Sequence, residues 1–205
     1  MFTKITLENF RSFDHIELDL TEKGNTAKHL AILYGENGAG KSNLMSAFVL
    51  LPELTRTMDA RAAYERILAQ GAIFQDENME KEMREHIRQR LRDMSAIIKD
   101  YQMADCENPI IAEYEFNIDG NNGCYRVEFG QDEILHERLE FVLNRRRGLY
   151  FDCSVTGINI NDSIVEKEQG KEFLTDVKEM AKRYWGKHSL LAILIYEMKD
   201  KSNSF

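Results

Sequence analysis

The sequence Gly-Glu-Asn-Gly-Ala-Gly-Lys-Ser at positions 35–42 has the spacing G-x₄-G-K-S. Glycines at its first, fourth and sixth positions allow turns in which consecutive backbone N–H groups point inward, and such turns offer many donors to one anion. The lysine would bring an ammonium to the β and γ phosphates, and the serine hydroxyl would provide one Mg²⁺ ligand. From average residue frequencies, a chance match in a chain of this length is roughly one in a hundred. The loop therefore predicts binding of a nucleoside triphosphate with Mg²⁺.

The segments on either side of this loop have the composition that such a site requires. The apolar run Leu30 to Tyr34 comes directly before the loop and predicts a central strand that is buried on both faces. Positions 43–51 follow it with apolar residues at helical spacing, and Pro52 predicts the end of that helix or a kink in it. A helix that starts at the loop points its positive dipole end at the anion. The predicted phosphate-binding residues are Gly35, Glu36, Asn37, Gly38, Ala39, Gly40, Lys41 and Ser42, with Lys41 also the catalytic residue and Ser42 the metal ligand.

Composition excludes several other classes of protein. The chain has 205 residues, of which 43% are hydrophobic and 30% charged, with only 2 prolines, so we expect one folded domain with a core. The net charge of −8 argues against a chain that coats nucleic acid with its whole surface. The 3 cysteines have neither metal-ligand spacing nor an even number, so neither a metal centre nor a disulfide framework is expected. No secretion signal or apolar stretch of about 20 residues is present, and we expect a cytoplasmic protein.

The rest of the chain predicts an α/β fold with an antiparallel sheet. Alternating apolar residues between Ile5 and Leu20 predict two antiparallel strands, and a second alternating region, positions 110–160, predicts a β-meander. Positions 59–101 and 166–198 have helical periodicity, with a stripe that runs from Met83 to Tyr101. We expect a single lobe divided into strands, loop and following helix at 1–58, a helical insert at 59–105, the meander at 106–162 and a helical end at 163–205.

Residues that flank the loop carry a resemblance to one group of ATPases. Asn9-Phe10-Arg11 on the first strand, Asn37 and Gly38 within the loop, and Asn43 directly after it resemble the ABC-type ATPases of the SMC, RecF and OLD kind, which are P-loop proteins of the AAA-family ATP-binding type. The resemblance covers Met1 to about Phe48 and implies that the nucleotide is ATP with Mg²⁺. It also implies that two ATP-loaded copies form a homodimer, and that a nuclease subunit or DNA is a partner.

The same resemblance adds Asn43 and Arg11 to the candidate nucleotide-binding residues. It implies that the region of Arg11 lies close to the nucleotide, where a guanidinium can hold phosphate oxygens in a bidentate manner. The alternative is that Arg11 is a solvated arginine at the end of a strand. Both interpretations remain open from the sequence.

Several elements that hydrolysis needs in the resembled group are missing from this sequence. They are an apolar strand that ends in Asp-Glu, an L-S-G-G-x motif supplied by a partner, and a switch histidine. The nearest candidate, Leu191 to Glu197, has Tyr196 where the aspartate should stand, and we interpret it as a buried helix. The guanine-binding N-K-x-D motif is also absent, which favours ATP over GTP. We therefore expect the N-terminal lobe of a larger ATPase, which alone binds nucleotide weakly and hydrolyses it slowly or not at all.

Alternative functions remain open at this stage. The run from Arg145 to Arg147, with the arginines of the helical region, could contact the phosphates of DNA or RNA. Interleaved glutamates weaken the helical patch, and a run at a hairpin tip is more often solvated or in contact with a protein. A non-hydrolytic ATP-binding module that recruits a nuclease or toxin is a second possibility. A small-molecule or nucleotide kinase is a third, which the antiparallel strands before the loop disfavour. The helical arginines are Arg84, Arg88, Arg90 and Arg92, and the glutamates are Glu80, Glu82 and Glu85.

Overall fold

A seven-stranded antiparallel sheet is the framework of the protein, in a computed structural model that describes residues 1–22, 26–71, 92–143, 145–164 and 168–202. The strand order is β2-β1-β3-β4-β5-β6-β7, so the N-terminal hairpin continues into a meander through the pairing of β1 with β3. The strands are β1 Phe2–Phe10, β2 Phe13–Asp19, β3 Ile110–Ile118, β4 Asn121–Phe129, β5 Ile134–Leu143, β6 Arg146–Ser154 and β7 Gly157–Ile160.

The alternation of residue types separates the two faces of this sheet. Ile5 and Leu7 on β1 are fully buried, and so are the matching apolar positions on β3 and β4. Polar residues between them lie on the opposite face, where Lys4 pairs with Glu17 at 2.9 Å across the first hairpin. Because side chains alternate along a strand, one face forms the core and the other carries ion pairs between neighbouring strands.

Five helices are described, and they pack mainly against the apolar face of the sheet. They are α1 Lys41–Thr55, α2 Thr57–Gly71, α3 Met94–Tyr101, α4 Glu168–Tyr184 and α5 Leu190–Ser202, with a 3₁₀ turn at Asp162–Ile164. Helix α5 packs against α1, α2 and α4. Helix α1 buries Ala47, Leu50 and Leu54 completely, and the Tyr114 hydroxyl on β3 donates to the Ala47 carbonyl at 2.7 Å. The helix that follows the Gly-rich loop is therefore fixed to the centre of the sheet.

A buried carboxylate connects the meander to the last helix. Glu137 on β5 is completely buried and accepts hydrogen bonds from the Tyr125 hydroxyl at 3.0 Å and the Trp185 indole N–H at 3.0 Å. It also accepts the backbone N–H groups of Leu190 at 2.7 Å and Leu191 at 3.4 Å, which are the first residues of α5. Burial raises the pKa of Glu137, and these four donors oppose that shift. The carboxyl group thus caps α5 from a neighbouring strand.

The predicted antiparallel sheet and the helices on it are confirmed. The helix predicted for the apolar run around Ile193 is present as α5. Of the two alternatives predicted at Pro52, the end of α1 is wrong, because the helix continues to Thr55, and the kink stays a prediction. Of the helical stripe, the part from Met94 to Tyr101 is present as α3, and its earlier members Met83, Ile87 and Leu91 lie outside the described residues. Among the described helices, none is both long and apolar enough to cross a membrane.

The prediction of a buried central strand at Leu30 to Tyr34 is wrong for this structure. The segment forms no strand, and the exposed fractions of Leu30, Ile32 and Tyr34 are 75%, 74% and 92%. A strand needs hydrogen-bonding neighbours, and β1 has no free side for this run because it pairs with β2 on one side and with β3 on the other. The run thus has the composition of a buried strand but no partner within the described residues.

Candidate nucleotide-binding site

The Gly-rich loop has left-handed backbone at two of its glycines. Gly38 has φ of 88° and Gly40 has φ of 82°, values that residues with a Cβ rarely adopt. Gly40 is also confined by packing, because a Cβ built there would lie 2.8 Å from the Phe13 ring. No described atom lies within 4 Å of a Cβ built at Gly38. The glycine at position 40 is therefore required both by backbone conformation and by the close approach of β2.

Lys41 closes the loop with its own side chain. Its ammonium donates to the carbonyl oxygen of Gly35 at 2.7 Å and to that of Glu36 at 2.6 Å. A lysine ammonium has three N–H donors, so one remains for another acceptor. The positive charge of the Lys41 ammonium therefore lies against the loop that is predicted to bind phosphate.

The start of α1 supplies further donors. Gly40 precedes the first helical residue, and the first intrahelical bond runs from the Leu44 N–H to the Gly40 carbonyl at 2.9 Å. The N–H groups of Lys41, Ser42 and Asn43 thus have no partner within the helix. Among the described residues, no side chain caps this end, and the first turn contains no carboxylate. An uncapped end with the positive pole of the dipole fits a bound anion.

The turn between β1 and β2 lies against the loop. The Asn43 side-chain amide donates to the Ser12 hydroxyl at 2.8 Å, and the Phe13 ring approaches Gly40 as described above. These contacts bring the N-terminal hairpin against the Gly-rich loop.

Arg11 is not a solvated strand-end arginine in this structure. The residue is half-buried and has φ of 53°, and its guanidinium carbon lies 5.0 Å from the centre of the Tyr101 ring. Its backbone N–H donates to the Tyr101 carbonyl at 2.8 Å. The structure thus places Arg11 in the turn next to the loop and stacks its side chain on α3. Its contact with phosphate stays a prediction.

Of the arginines considered for nucleic-acid binding, those in the described part of the chain are paired with carboxylates or exposed at a turn, in separate elements. Arg145, Arg146 and Arg147 are exposed around the β5–β6 turn, and Arg147 pairs with Glu140 at 2.8 Å. In the helical region, Arg92 pairs with Glu53 at 2.6 Å and also with a second carboxylate. Arg84, Arg88 and Arg90 lie outside the described residues.

Tyr101, which holds Arg11, and Glu53, which bonds Tyr101, were not recognised from the sequence as part of this region. The Tyr101 hydroxyl donates to Glu53 at 3.0 Å, and Glu53 lies on α1, near the end opposite the Gly-rich loop. Tyr101 was noted only as the last member of the helical stripe. Glu53 had no sequence signal, because this bond joins residues 48 positions apart and local periodicity does not report such contacts.

Comparison with known proteins gives the class, which is that of the ATP-binding ATPases. The chain belongs to the AAA ATPase domain family, whose sequence profile matches residues 1–122. It is also similar to the DNA replication and repair protein RecF of Bacillus mycoides (strain KBAB4), with 41% identity over 49 residues. That stretch covers 24% of this chain and 12% of the RecF sequence. The two matches agree with the SMC/RecF kind of ATPase indicated by the residues around the loop.

Proposed function

We propose that this chain binds ATP with Mg²⁺ in the loop from Gly35 to Ser42. The observation that carries the proposal is the position of Lys41, whose ammonium bonds two loop carbonyls at 2.7 and 2.6 Å beside an uncapped helix start. The loop and helix N–H groups would hold the phosphates, and the exposed Ser42 hydroxyl would bind the metal ion. Bound Mg²⁺ would neutralise charge on the phosphate oxygens during phosphoryl transfer.

We further propose that the chain is the ATP-binding lobe of an ATPase that needs additional elements for hydrolysis. The exposed run from Leu30 to Tyr34 supports this, as do Met45 and Val49 on α1, each 52% exposed. Met45 and Val49 are four residues apart, so they form a stripe on the face of α1 opposite the buried Leu44, Ala47 and Leu50. Apolar residues on both elements favour a partner sheet that would pair with the run and cover the helix.

The proposed activity is an ATP-driven switch. Two ATP-loaded copies would associate across their nucleotides. Once the additional elements are present, hydrolysis would separate the copies, and this movement would act on an attached nuclease or on DNA. RecF, to which the chain is similar over 49 residues, is a DNA replication and repair protein, and this supports DNA among the candidate partners.

Calorimetric titration of this chain with ATP and Mg²⁺ tests the first proposal. Saturable binding is expected for the wild type, and Lys41→Ala should weaken it by about 100-fold or more, because the variant loses a charge-assisted contact to phosphate. Lys182→Ala, which removes an exposed lysine from α4, is the matched control and should bind as the wild type does. Wild-type protein that stays folded and binds no ATP would contradict the proposal.

Phosphate release distinguishes the candidate activities. The isolated chain should release phosphate more slowly than about one turnover per minute, which is far below typical enzyme rates. Faster release that Lys41→Ala abolishes would show that this chain contains a complete catalytic site. ATP-dependent dimerisation followed by phosphate release supports the switch, whereas saturable binding with no release in the completed protein supports the non-hydrolytic module that recruits a nuclease or toxin.

A further inference from the structure

After β2 the chain turns and comes back beside the end of that strand. Three backbone contacts fix the turn in one antiparallel register, in which each step forward after the turn is matched by a step back before it. They are the bridge between Thr21 and Ala27, the bond from the Glu22 N–H to the Thr26 carbonyl at 2.7 Å, and the bond from the Lys28 N–H to the Leu20 carbonyl at 2.7 Å. The segment from Ala27 onwards thus starts as a strand beside β2.

Beyond this turn, the outer edge of β2 carries no strand. β2 is the first strand in the order of the sheet, and its inner edge pairs with β1. The chain bends at His29, and Leu30 to Tyr34 continue from there without pairing. Among the described residues, the outer edge of Phe13–Asp19 therefore has unpaired N–H and C=O groups, which can accept a further strand.

The run that continues from this turn ends near the opposite end of β2. The Gly35 carbonyl, directly after the run, accepts the Lys41 ammonium at 2.7 Å. Gly40, the neighbour of Lys41, packs on the Phe13 ring at the start of β2. Positions 28–34 therefore lead from one end of β2 to the other, and they have as many residues as positions 14–20, which they would have to span.

The register of the three contacts, when it is extended along β2, matches apolar residues with apolar residues. It sets Leu30 opposite Leu18 and Ile32 opposite Ile16. Directly opposite residues share a face of the sheet, and Leu18 and Ile16 are half-buried against the core. Leu30 and Ile32, now 75% and 74% exposed, would thus extend the apolar face of the sheet. A register shifted by one residue would turn both side chains to the other face.

The same register buries no charge on the opposite face. There it sets Ala31 opposite Glu17 and Leu33 opposite His15, and all four residues are exposed. The segment also contains no proline, so every residue of it can donate a backbone N–H to a sheet. Both faces of the segment are therefore compatible with a strand at the edge of this sheet.

We propose that residues 28–34 dock on the outer edge of β2 as an eighth strand of the sheet, and that docking fixes the Gly-rich loop. The bend straightens in this state, and the exposed apolar side chains join the apolar face. The register then sets Gly35 opposite Phe13, the residue on which Gly40 packs, so both ends of the loop are held at one point. A loop that is held before ATP arrives loses less entropy on binding. This second step rests on the proposed function, whereas the docking itself requires no nucleotide.

Disulfide formation in the whole chain measures the docking. Glu17→Cys with Ala31→Cys sets two thiols opposite each other in the docked strand, at a Cα separation that a disulfide accepts. Glu17→Cys with Ile32→Cys is the matched control, because a shift of one residue points the second thiol to the other face. Equilibration with glutathione gives the formation constant of each bond, and peptide mapping distinguishes it from bonds to the native cysteines. The constant should be at least about 10-fold larger for the first pair.

A second pair of variants tests whether the strand continues to the far end of β2. His15→Cys with Leu33→Cys is in register, and His15→Cys with Tyr34→Cys is its shifted control. All the substituted side chains are exposed, and circular dichroism checks that each variant folds. The in-register pair should again be favoured by about 10-fold.

ATP affinity tests the effect on the loop. The oxidised protein with Glu17→Cys and Ala31→Cys should bind ATP with Mg²⁺ about 3-fold or more tightly than the same protein after reduction, because the disulfide holds the docked state. By linkage, saturating ATP should raise the formation constant of this disulfide by the same factor. Equal affinities before and after reduction would overturn the effect on the loop.

The outcomes separate the docking from the proposed function. Equal formation constants for in-register and shifted pairs would overturn the docking, because an unpaired run brings neighbouring positions to β2 equally often. A disulfide that forms between two chains, seen as a dimer on a non-reducing gel, would overturn it as well. Neither result bears on ATP binding through Lys41. Wild-type protein that binds no ATP would overturn the proposed function and the effect on the loop, whereas the disulfide constants would still decide the docking.

Discussion

The Phe13 ring lies against Gly40 so closely that a Cβ at residue 40 would be 2.8 Å from it. Gly40→Ala should therefore weaken ATP binding more than Gly38→Ala does, because it adds this steric conflict to the cost of a left-handed residue, about 1–2 kcal/mol. Gly38→Ala is the matched variant: φ is 88°, but no described atom lies within 4 Å of its Cβ, so it adds only the backbone cost. Equal losses of ATP affinity in the two variants would show that the Phe13 contact has no role.

The bond between Tyr114 and Ala47 should contribute measurably to the stability of the fold. Tyr114→Phe removes a buried hydroxyl that donates to α1 at 2.7 Å, and we expect a loss of about 1 kcal/mol in the free energy of unfolding. Tyr34→Phe is the control, since Tyr34 is 92% exposed and its hydroxyl should contribute little. Denaturant titrations of both variants measure the difference, and an unchanged midpoint for Tyr114→Phe would contradict the prediction.

Substitution of Glu137 should lower the stability of the fold more than most single substitutions in this chain. Glu137→Ala leaves the Trp185 and Leu190 donors without their acceptor inside the protein, and at about 1–3 kcal/mol for each unsatisfied donor we expect a loss of roughly 3–5 kcal/mol in the free energy of unfolding. Glu137→Gln keeps the volume but turns an amide N–H₂ towards donors, so about 2–3 kcal/mol should be lost. Glu179→Gln, an exposed position on α4, should change stability by less than about 0.5 kcal/mol. Thermal unfolding of the three variants gives the comparison, and a Glu137→Gln protein as stable as Glu179→Gln would refute the capping role.

His188 should make stability depend on pH. Burial, and then the positive charge of Arg61, lower its pKa to about 4, and among the described residues its Nδ1 has no hydrogen-bond partner. The unfolded chain binds a proton at this position near pH 6.5, whereas the folded chain does not until about pH 4. Stability contributed by the neutral ring is therefore present above about pH 6.5 and is lost as the pH falls towards 4.

The pH effect is measured as a difference between two proteins. With allowance for the partial exposure of the ring, we expect His188 to account for about 1–2 kcal/mol of the change in unfolding free energy. His188→Gln cannot titrate, so its stability should decline less between pH 6.5 and 4.5. Parallel pH profiles for the two proteins would contradict the assignment, because the carboxylates that also titrate in this range are common to both.

Sequence patterns predicted the local elements well and the long-range contacts poorly. The alternation around Ile5 and Tyr114 identified strands because one face of each strand is buried, and the glycine spacing identified the loop because left-handed backbone needs glycine. The buried strand at Leu30 to Tyr34 was wrong, since hydrophobicity shows that a segment needs a partner but does not show where that partner is.

In the candidate site, too, local contacts were predicted from the sequence and long-range contacts were not. The roles of Lys41 and Ser42 were predicted from spacing alone and stay predictions, and the bonds of Lys41 to Gly35 and Glu36 lie within six positions of the chain. The contact of Tyr101 with Arg11 joins positions 90 residues apart in sequence, and the bond from Leu190 to Glu137 joins positions 53 apart. Neither leaves a periodic signal, so only the folded arrangement reveals them.

The hydrogen bond from Trp185 to Glu137 also makes the protein its own optical probe. Trp185 is the single tryptophan of the sequence, and its indole N–H donates at 3.0 Å to the carboxyl group that caps α5. Fluorescence excited at the red edge of the absorption band thus comes from Trp185 alone, next to the start of α5. Detachment of α5 should shift the emission to longer wavelength, so fluorescence follows the docking of the last helix without any attached dye.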